Sequence, residues 1–278
     1  MLIEQALQWS ERLAEVSDSA RLDTELLLAE VLEKDRSYLF TWPDRALTTA
    51  QQTAFESLFQ RRLNGEPVAY ILGRQDFWSL DLEVSPATLI PRADTETLVE
   101  KALALLPSGP CRIADLGTGT GAIALAIARE RPDSEVTGVD LIDEAVELAD
   151  RNKARNGIAN CSFAQGSWCQ PLSGEYQMIV SNPPYIDPLD RHLSEGDVRF
   201  EPRSALVADD AGMADIACLS EQALSHLPEG GWLIFEHGYD QGLPSRDLLN
   251  KLGYVEVATD QDLAGNDRIT FGRKSGRK

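Results

Sequence analysis

From residue 111 to residue 237 the chain alternates short apolar runs with helix-like stretches, and this alternation limits its architecture more than any other feature. The runs are CRIADL (111–116), EVTGVD (135–140), CSFAQG (161–166), YQMIVS (176–181) and GWLIFEH (231–237), with helices expected from about 121, 143 and 213. Strands separated by helices build a parallel sheet covered by helices on both faces, an α/β architecture. Such sheets bind ligands beyond the carboxyl ends of their strands, so the residues that follow each run become the functional candidates.

The first 72 residues follow a different period. Ile3, Ala6, Leu7 and Leu13 suggest one amphipathic helix, and Leu22, Leu26, Leu27, Leu28 and Val31 a second. Phe55, Leu58, Phe59 and Leu63 mark a third, ended near Gly65 with Pro67 beyond. Residues 1–72 therefore read as a small all-helical domain. In 73–85 the apolar Phe77, Trp78, Leu80, Leu82 and Val84 alternate with polar residues as in a hairpin linker, and 86–278 form the α/β domain. A length of 278 residues suits one large or two unequal domains. The basic tail RKSGRK reads as a frayed, solvated end.

Gly117-Thr118-Gly119-Thr120-Gly121 follows the run that ends in Asp115-Leu116 and opens a helix. Glycines there allow a tight turn and a close approach of ligand to backbone, with helix N-terminal N–H groups facing it. The spacing is G-x-G-x-G, which weakens a dinucleotide reading, and a purely structural glycine turn stays open. Asp140 ends the next run, where its carboxylate can accept hydrogen bonds from both hydroxyls of a ribose; a surface aspartate is the plain alternative. Trp168, after the third run, would offer a flat apolar wall to the base of the same ligand, or else pack in the core. A ribose on a glycine loop without a G-x-x-x-x-G-K-[ST] phosphate motif suggests a nucleoside without a triphosphate, and S-adenosylmethionine fits.

The fourth run leads into Asn182-Pro183-Pro184-Tyr185. Each proline drives the residue before it into an extended conformation, and neither has an N–H to donate. The Asn182 side-chain oxygen and the Pro183 carbonyl then form two fixed acceptors for the hydrogens of a planar NH2 group, while Tyr185 can stack on its face. Holding both hydrogens orients the plane and enriches the nitrogen in electrons. Catalysis of this kind is positioning, worth roughly 7 to 11 kcal/mol of barrier. It needs no strong base if the proton leaves after methyl transfer, so His237, in FEHG, reads as structural in preference to a base. A turn stiffened by two prolines with no ligand is the alternative.

Charge and composition narrow the partners. A net charge of −19 opposes attraction to a phosphate backbone and suits a basic partner. No apolar run approaches the about 18 residues of a membrane span, and MLIEQALQWSERLAEV is acidic where a signal peptide would be basic, so a cytoplasmic location is expected. Cys111, Cys161, Cys169 and Cys218 form no C-x-x-C pair and the three histidines are scattered, which signals neither a disulfide framework nor a metal site.

Together these residues resemble the class I S-adenosylmethionine-dependent methyltransferases, and among them the peptide chain release factor N5-glutamine methyltransferases (the PrmC/HemK family). The resemblance spans nearly the whole chain, through FWSLDLEVSPATLIPRADTETLVE (77–100), DLGTGTGAIALAIA (115–128), IVSNPPYI (179–186), VRFEPRSALVA (198–208) and FEHG (235–238). N-P-P-Y alone is shared with DNA adenine-N6 methyltransferases; the combination of blocks is specific. The resemblance implies a Rossmann-like sheet behind a helical domain that helps dock the release factor. It implies methylation of the side-chain nitrogen (N5) of the glutamine in a Gly-Gly-Gln motif of class 1 release factors, with S-adenosylhomocysteine as product, no direct nucleic-acid substrate and no membrane. It also implies that Gly117 to Gly121, Asp140 and Trp168 contact the cofactor, that Asn182 touches cofactor and substrate, and that Pro183, Pro184 and Tyr185 complete the glutamine pocket. Ala93 departs from the I-P-R-P-D of close relatives, where proline would preset the turn before an Asp94 cap, and this leaves Arg92 without an assigned role. The competing reading is an adenine-N6 nucleic-acid methyltransferase, for which no target-recognition domain is evident.

Overall fold

The computed structural model describes residues 1–276 and divides into two compact units, Met1–Arg74 with Arg191–Phe200, and Gln75–Asp190 with the chain from Glu201 onward. The first unit holds α1 (Ile3–Leu7), α2 (Ala20–Leu32), α3 (Arg36–Thr41), α4 (Thr49–Leu63) and α5 (Val68–Leu72). Two of the starts are capped by side chains. Asp35 accepts the Tyr38 N–H, and Thr48 and Gln51 form a reciprocal capping box, each satisfying an otherwise unpaired helix N–H.

The first expected helix is shorter than its apolar pattern suggests. After Leu7 the chain tightens into a 3-10 turn, Gln8–Leu13. At three residues per turn, Leu13 lies on the same face as Leu7 and is buried with it, which an α-helical winding would not achieve over that spacing. Leu22 is exposed and does not belong to the buried stripe of α2, whose inward face is Leu27 and Leu28. Around Phe55, Phe59 and Ile3 this unit has its own core. Arg62 of α4 is buried in it, donating to Asp23 at 2.7 Å and to Asp197 of the 191–200 segment at 2.8 Å.

The second unit begins with a hairpin, β1 (Arg74–Phe77) and β2 (Leu80–Glu83), turned at Trp78 and Ser79, both at positive φ. A 3-10 turn, Ala93–Thr95, leads into α6 (Glu96–Leu105). Asp94 lies inside that turn and makes no cap; its carboxylate stands 3.8 Å from the Arg268 guanidinium. The α/β alternation follows: β3 (Arg112–Leu116), α7 (Ala122–Glu130), β4 (Glu135–Asp140), α8 (Asp143–Arg155), β5 (Cys161–Gln165), β6 (Met178–Ser181), α9 (Ala214–Ala223), β7 (Trp232–Glu236) and α10 (Gly242–Lys251). Two last strands close the chain, β8 (Tyr254–Gln261) and β9 (Asp267–Lys274).

These strands form one seven-stranded sheet in the order β5-β4-β3-β6-β7-β9-β8. Strands β5 to β7 are parallel, as the alternation predicts, but β9 runs antiparallel between β7 and β8. The alternation of 111–237 covers the five parallel strands; β8 and β9, which lie beyond it, are joined by a short turn that leaves no crossover and so add an antiparallel edge. The tail reading is corrected: Arg273 and Lys274 belong to β9, and the Lys274 ammonium donates to the Leu224 and Leu227 carbonyls at 2.7 and 2.6 Å. Residues 277 and 278 of that tail lie outside the described residues.

Central strands buried on both sides explain the near-continuous apolar runs. Successive side chains alternate between two cores, with Ile113, Met178, Val180 and Ile234 packed with α6 and α7. Ala114, Ile179, Leu233 and Phe235 point the other way and pack with α9. Cys111, Cys161 and Cys169 are buried and Cys218 half-buried, all as free thiols. Among the described residues no helix is long and apolar enough to cross a membrane.

Candidate active site

The register sets the site. Leu116 pairs with Val139 on one side and with Ser181 on the other, so the chain leaves β3, β4 and β6 at the same level of the sheet. The sheet order reverses between β3 and β6: the chain after β3 crosses toward β4, while that after β6 crosses toward β7. A crevice opens where neighbouring connections diverge in this way. It is a cavity of about 390 Å³ at the ends of these strands.

The glycine loop forms one wall. The Gly117 and Thr118 N–H groups both donate to the Val139 carbonyl, at 2.8 and 2.9 Å, which draws the loop against the end of β4. Gly117, Gly119 and Gly121 have φ of +72°, +55° and +82°, a left-handed region that glycine enters without steric cost. At Gly121 a side chain would also be crowded, since a Cβ would meet Phe163 and Ala149 at 3.1 and 3.2 Å and those side chains would have to give way. Two buried groups sequence reading did not single out hold the loop from beneath. Asp115 accepts from the Thr118 hydroxyl at 2.6 Å and the Ala124 N–H at 3.2 Å; its other oxygen has no hydrogen-bond partner among the described residues. Burial pushes this carboxyl up to about 7. Asn152 of α8 donates to the Thr120 carbonyl at 2.9 Å and exchanges hydrogen bonds with the Glu83 backbone.

Asp140 stands opposite, at the end of β4. One of its oxygens accepts the Gly119 N–H at 2.8 Å and the other the Ile142 N–H at 3.0 Å. Burial raises its pKa, and these backbone donors work against that rise. A carboxylate offers about four lone-pair directions, which leaves capacity here for a hydroxyl. Trp168 lines the same cavity at φ +47°, and its indole would be 3.8 Å from a Cβ on Gly117.

Asn182 and Pro184 face the cavity with Gly117, Thr118, Gly119, Thr120, Asp140 and Trp168; Gly121, Pro183 and Tyr185 do not line it. Pro183 is buried. The Tyr185 hydroxyl donates to Glu236 at 3.1 Å, which ties the ring to β7, and its backbone carbonyl accepts from Gln241 at 2.9 Å, which ties the main chain to the turn before α10. The Asn182 amide nitrogen reaches the Thr95 hydroxyl at 3.3 Å, and Thr95 donates to Glu236 at 2.7 Å. Thr95 lies in the quoted block 77–100 and Glu236 in FEHG, so both blocks were legible, but nothing in their spacing joins them.

His237 is buried away from the cavity, with Nδ1 2.8 Å from the Gly238 carbonyl and Nε2 2.8 Å from the Thr270 hydroxyl; desolvation lowers its pKa. Both nitrogens are engaged, which makes it a brace for β9. Arg92 borders the cavity and donates to the buried Glu201 at 2.6 Å, and Glu201 also accepts the Ile90 N–H at 3.1 Å. Arg92 thereby fastens the chain on which Ser204 and Ala205 reach the rim.

Residues 5–73 match the family described as the PrmC N-terminal domain, and residues 95–196 the methyltransferase small domain. The chain is 57% identical to the release factor glutamine methyltransferase of Vibrio cholerae over 261 residues, covering 92% of this chain and 91% of that protein. It is 57% identical over 258 residues to the enzyme of the same name from Pseudomonas aeruginosa, covering 92% and 94%. For that of Escherichia coli the identity is 51% over 260 residues, covering 93% and 94%. Among solved structures, a methyltransferase from Pyrococcus furiosus aligns with TM-score 0.56 at 22% identity, over 80% of this chain and all of that one, a likeness of fold.

Proposed function

The chain belongs to the release factor glutamine methyltransferase family, and from that premise we propose that its cavity transfers a methyl group to the side-chain nitrogen (N5) of the glutamine in the Gly-Gly-Gln motif of class 1 peptide chain release factors. One observation carries the reading: the Asn182 amide, anchored at Thr95, lines the same cavity as the glycine loop and Asp140. A planar NH2 can be gripped there beside a nucleoside-sized space.

S-adenosylmethionine is the cofactor, and its sulfonium supplies an electrophilic methyl. The residues fit it: Gly117 and Gly119, both at positive φ, leave open the wall that a Cβ would narrow, the Asp140 carboxylate can accept from a hydroxyl, and Trp168 adds an apolar face. We assign Gly117 to Gly121, Asp140 and Trp168 to cofactor binding and Asn182 to both ligands. Pro183 and Pro184 hold the rim extended, and Tyr185 braces it through Glu236.

Asn182 presents an acceptor to the amide hydrogens. It orients the glutamine plane and adds electron density to a nitrogen whose lone pair is otherwise delocalised. Methylation makes that nitrogen acidic, so the proton is lost easily and no histidine is required; His237 is occupied elsewhere.

The helical part, residues 1–72 ahead of a linker at 73–85 and a catalytic domain at 86–278, is proposed to dock the release factor. A chain carrying −19 charges suits a basic protein partner better than nucleic acid, and a cytoplasmic location accords with such a substrate. Transfer of labelled methyl from S-adenosylmethionine tests the assignment. Label on the release factor glutamine supports it, label on DNA adenine replaces it with the nucleic-acid reading, and label on neither removes both.

A further inference from the structure

We propose that Glu236, acting through Thr95, is a positioning residue that fixes which end of the Asn182 amide faces the substrate; the inference rests on the glutamine-transfer reading above. Three groups far apart in the chain make one relay. Thr95 and Glu236 are separated by 141 positions, and Asn182 lies 87 positions from Thr95. Glu236 is 2% exposed and Thr95 4%, so water cannot readily exchange into the contact between them.

The direction of each hydrogen bond follows from counting protons. An ionised carboxylate only accepts, and a threonine has one hydroxyl proton. That proton is committed to Glu236 at 2.7 Å, while the Tyr185 hydroxyl occupies the other carboxylate oxygen at 3.1 Å. Thr95 is left with lone pairs toward Asn182, so Asn182 must turn its NH2 to Thr95 at 3.3 Å. Its oxygen is then the end left for the substrate. The flipped amide would set oxygen against oxygen at Thr95 and NH2 against the NH2 of a glutamine, losing a hydrogen bond at both ends. The order requires an ionised Glu236: burial raises its pKa, and the hydrogen bonds from Thr95 and Tyr185 together with the positive charge of Arg268 oppose that rise.

A double-mutant cycle tests this, read by single-turnover methyl transfer to the intact release factor. Thr95→Val keeps the side-chain shape and removes the relay; a loss of about tenfold or more is expected, with cofactor affinity within about twofold of wild type. Thr95→Ser restores the hydroxyl and should recover most of the rate. In an Asn182→Ala background, Thr95→Val should change the rate by less than about twofold, because the residue it acts through is gone. An equal loss in both backgrounds, or wild-type turnover of Thr95→Val, overturns the proposal.

A second measurement does not depend on the variant folding. In wild-type protein labelled with 15N-asparagine, with the Asn182 signal assigned by its absence from Asn182→Ala, the side-chain NH2 should exchange with solvent much more slowly than a free amide. Exchange at the free-amide rate overturns the relay. Failure of wild-type protein to methylate release factor at all would instead remove the functional reading, and the amide measurement would still decide the relay.

Discussion

Gly117 and Asn182 leave adjacent strands side by side, so that a Cβ built on Gly117 would stand 3.9 Å from the Asn182 carbonyl oxygen. The loop proposed to receive the cofactor and the stretch proposed to receive the substrate thus lie side by side, one strand spacing apart. Gly117→Ala should therefore disturb both. Its φ of +72° costs an alanine roughly 1 to 2 kcal/mol, and the added methyl enters the cavity. Cofactor affinity measured by calorimetry should fall by at least tenfold; unchanged binding would show that the loop has room to spare.

Asn182→Ala removes the acceptor for the amide hydrogens, and a rate loss of order 10² to 10³ is expected, by analogy with other preorganised hydrogen-bonding groups. Cofactor affinity should fall much less. Asn182→Asp keeps an acceptor but adds a charge that stabilises a cationic ground state more than a charge-dispersed transition state, so its turnover should drop while binding holds or tightens. Single-turnover assays with mass spectrometry of the glutamine peptide give both rates, and wild-type turnover of Asn182→Ala would end the proposed role.

Asp140→Ala removes the proposed ribose acceptor and also the partner of the Gly119 and Ile142 N–H groups. Cofactor binding should weaken by roughly 1 to 3 kcal/mol with the fold retained. Titration with S-adenosylmethionine or S-adenosylhomocysteine measures it, and an unchanged dissociation constant would take Asp140 out of the site.

Arg62→Ala leaves Asp23 buried without its cation and frees Asp197. Loss of about 3 kcal/mol from the helical unit is expected, since the charge left behind is uncompensated. If that unit docks the release factor, KM for the intact factor should rise well above wild type while KM for a short Gly-Gly-Gln peptide stays level. An equal rise for both substrates would place the damage in the catalytic unit.

Asp115 gives a pH dependence of defined sign. Its carboxyl is raised from 3.8 to about 7 by burial, so the folded protein prefers it protonated. The stability this contributes is complete below the unfolded value and is lost as pH rises through the folded one. Relative to Asp115→Asn, which cannot ionise, the melting temperature of the wild type should decline between about pH 4 and pH 7 and then level off. A difference that stays constant across that window would show that Asp115 is ionised in the fold throughout.

Much of this arrangement was legible from local pattern. Strand and helix alternation demands a parallel sheet, and a parallel sheet delivers the ends of its strands to one edge, so Gly117, Asp140 and Asn182 could be brought together from spacing alone. β8 and β9 could not. Bulge-like register shifts in their pairing and a positive φ at Glu256 break the alternation that identifies a strand. Likewise 191–200 groups with the helical unit, where Asp197 meets a buried arginine 135 positions away, a pairing no local pattern announces. The sequence by itself determined which groups stand at the sheet edge, because backbone periodicity is local. Only the tertiary structure decided that Thr95 and Glu236 stand behind Asn182: a buried hydrogen bond depends on which side chains packing brings within about 3 Å, and no local period encodes that for residues so far apart along the chain.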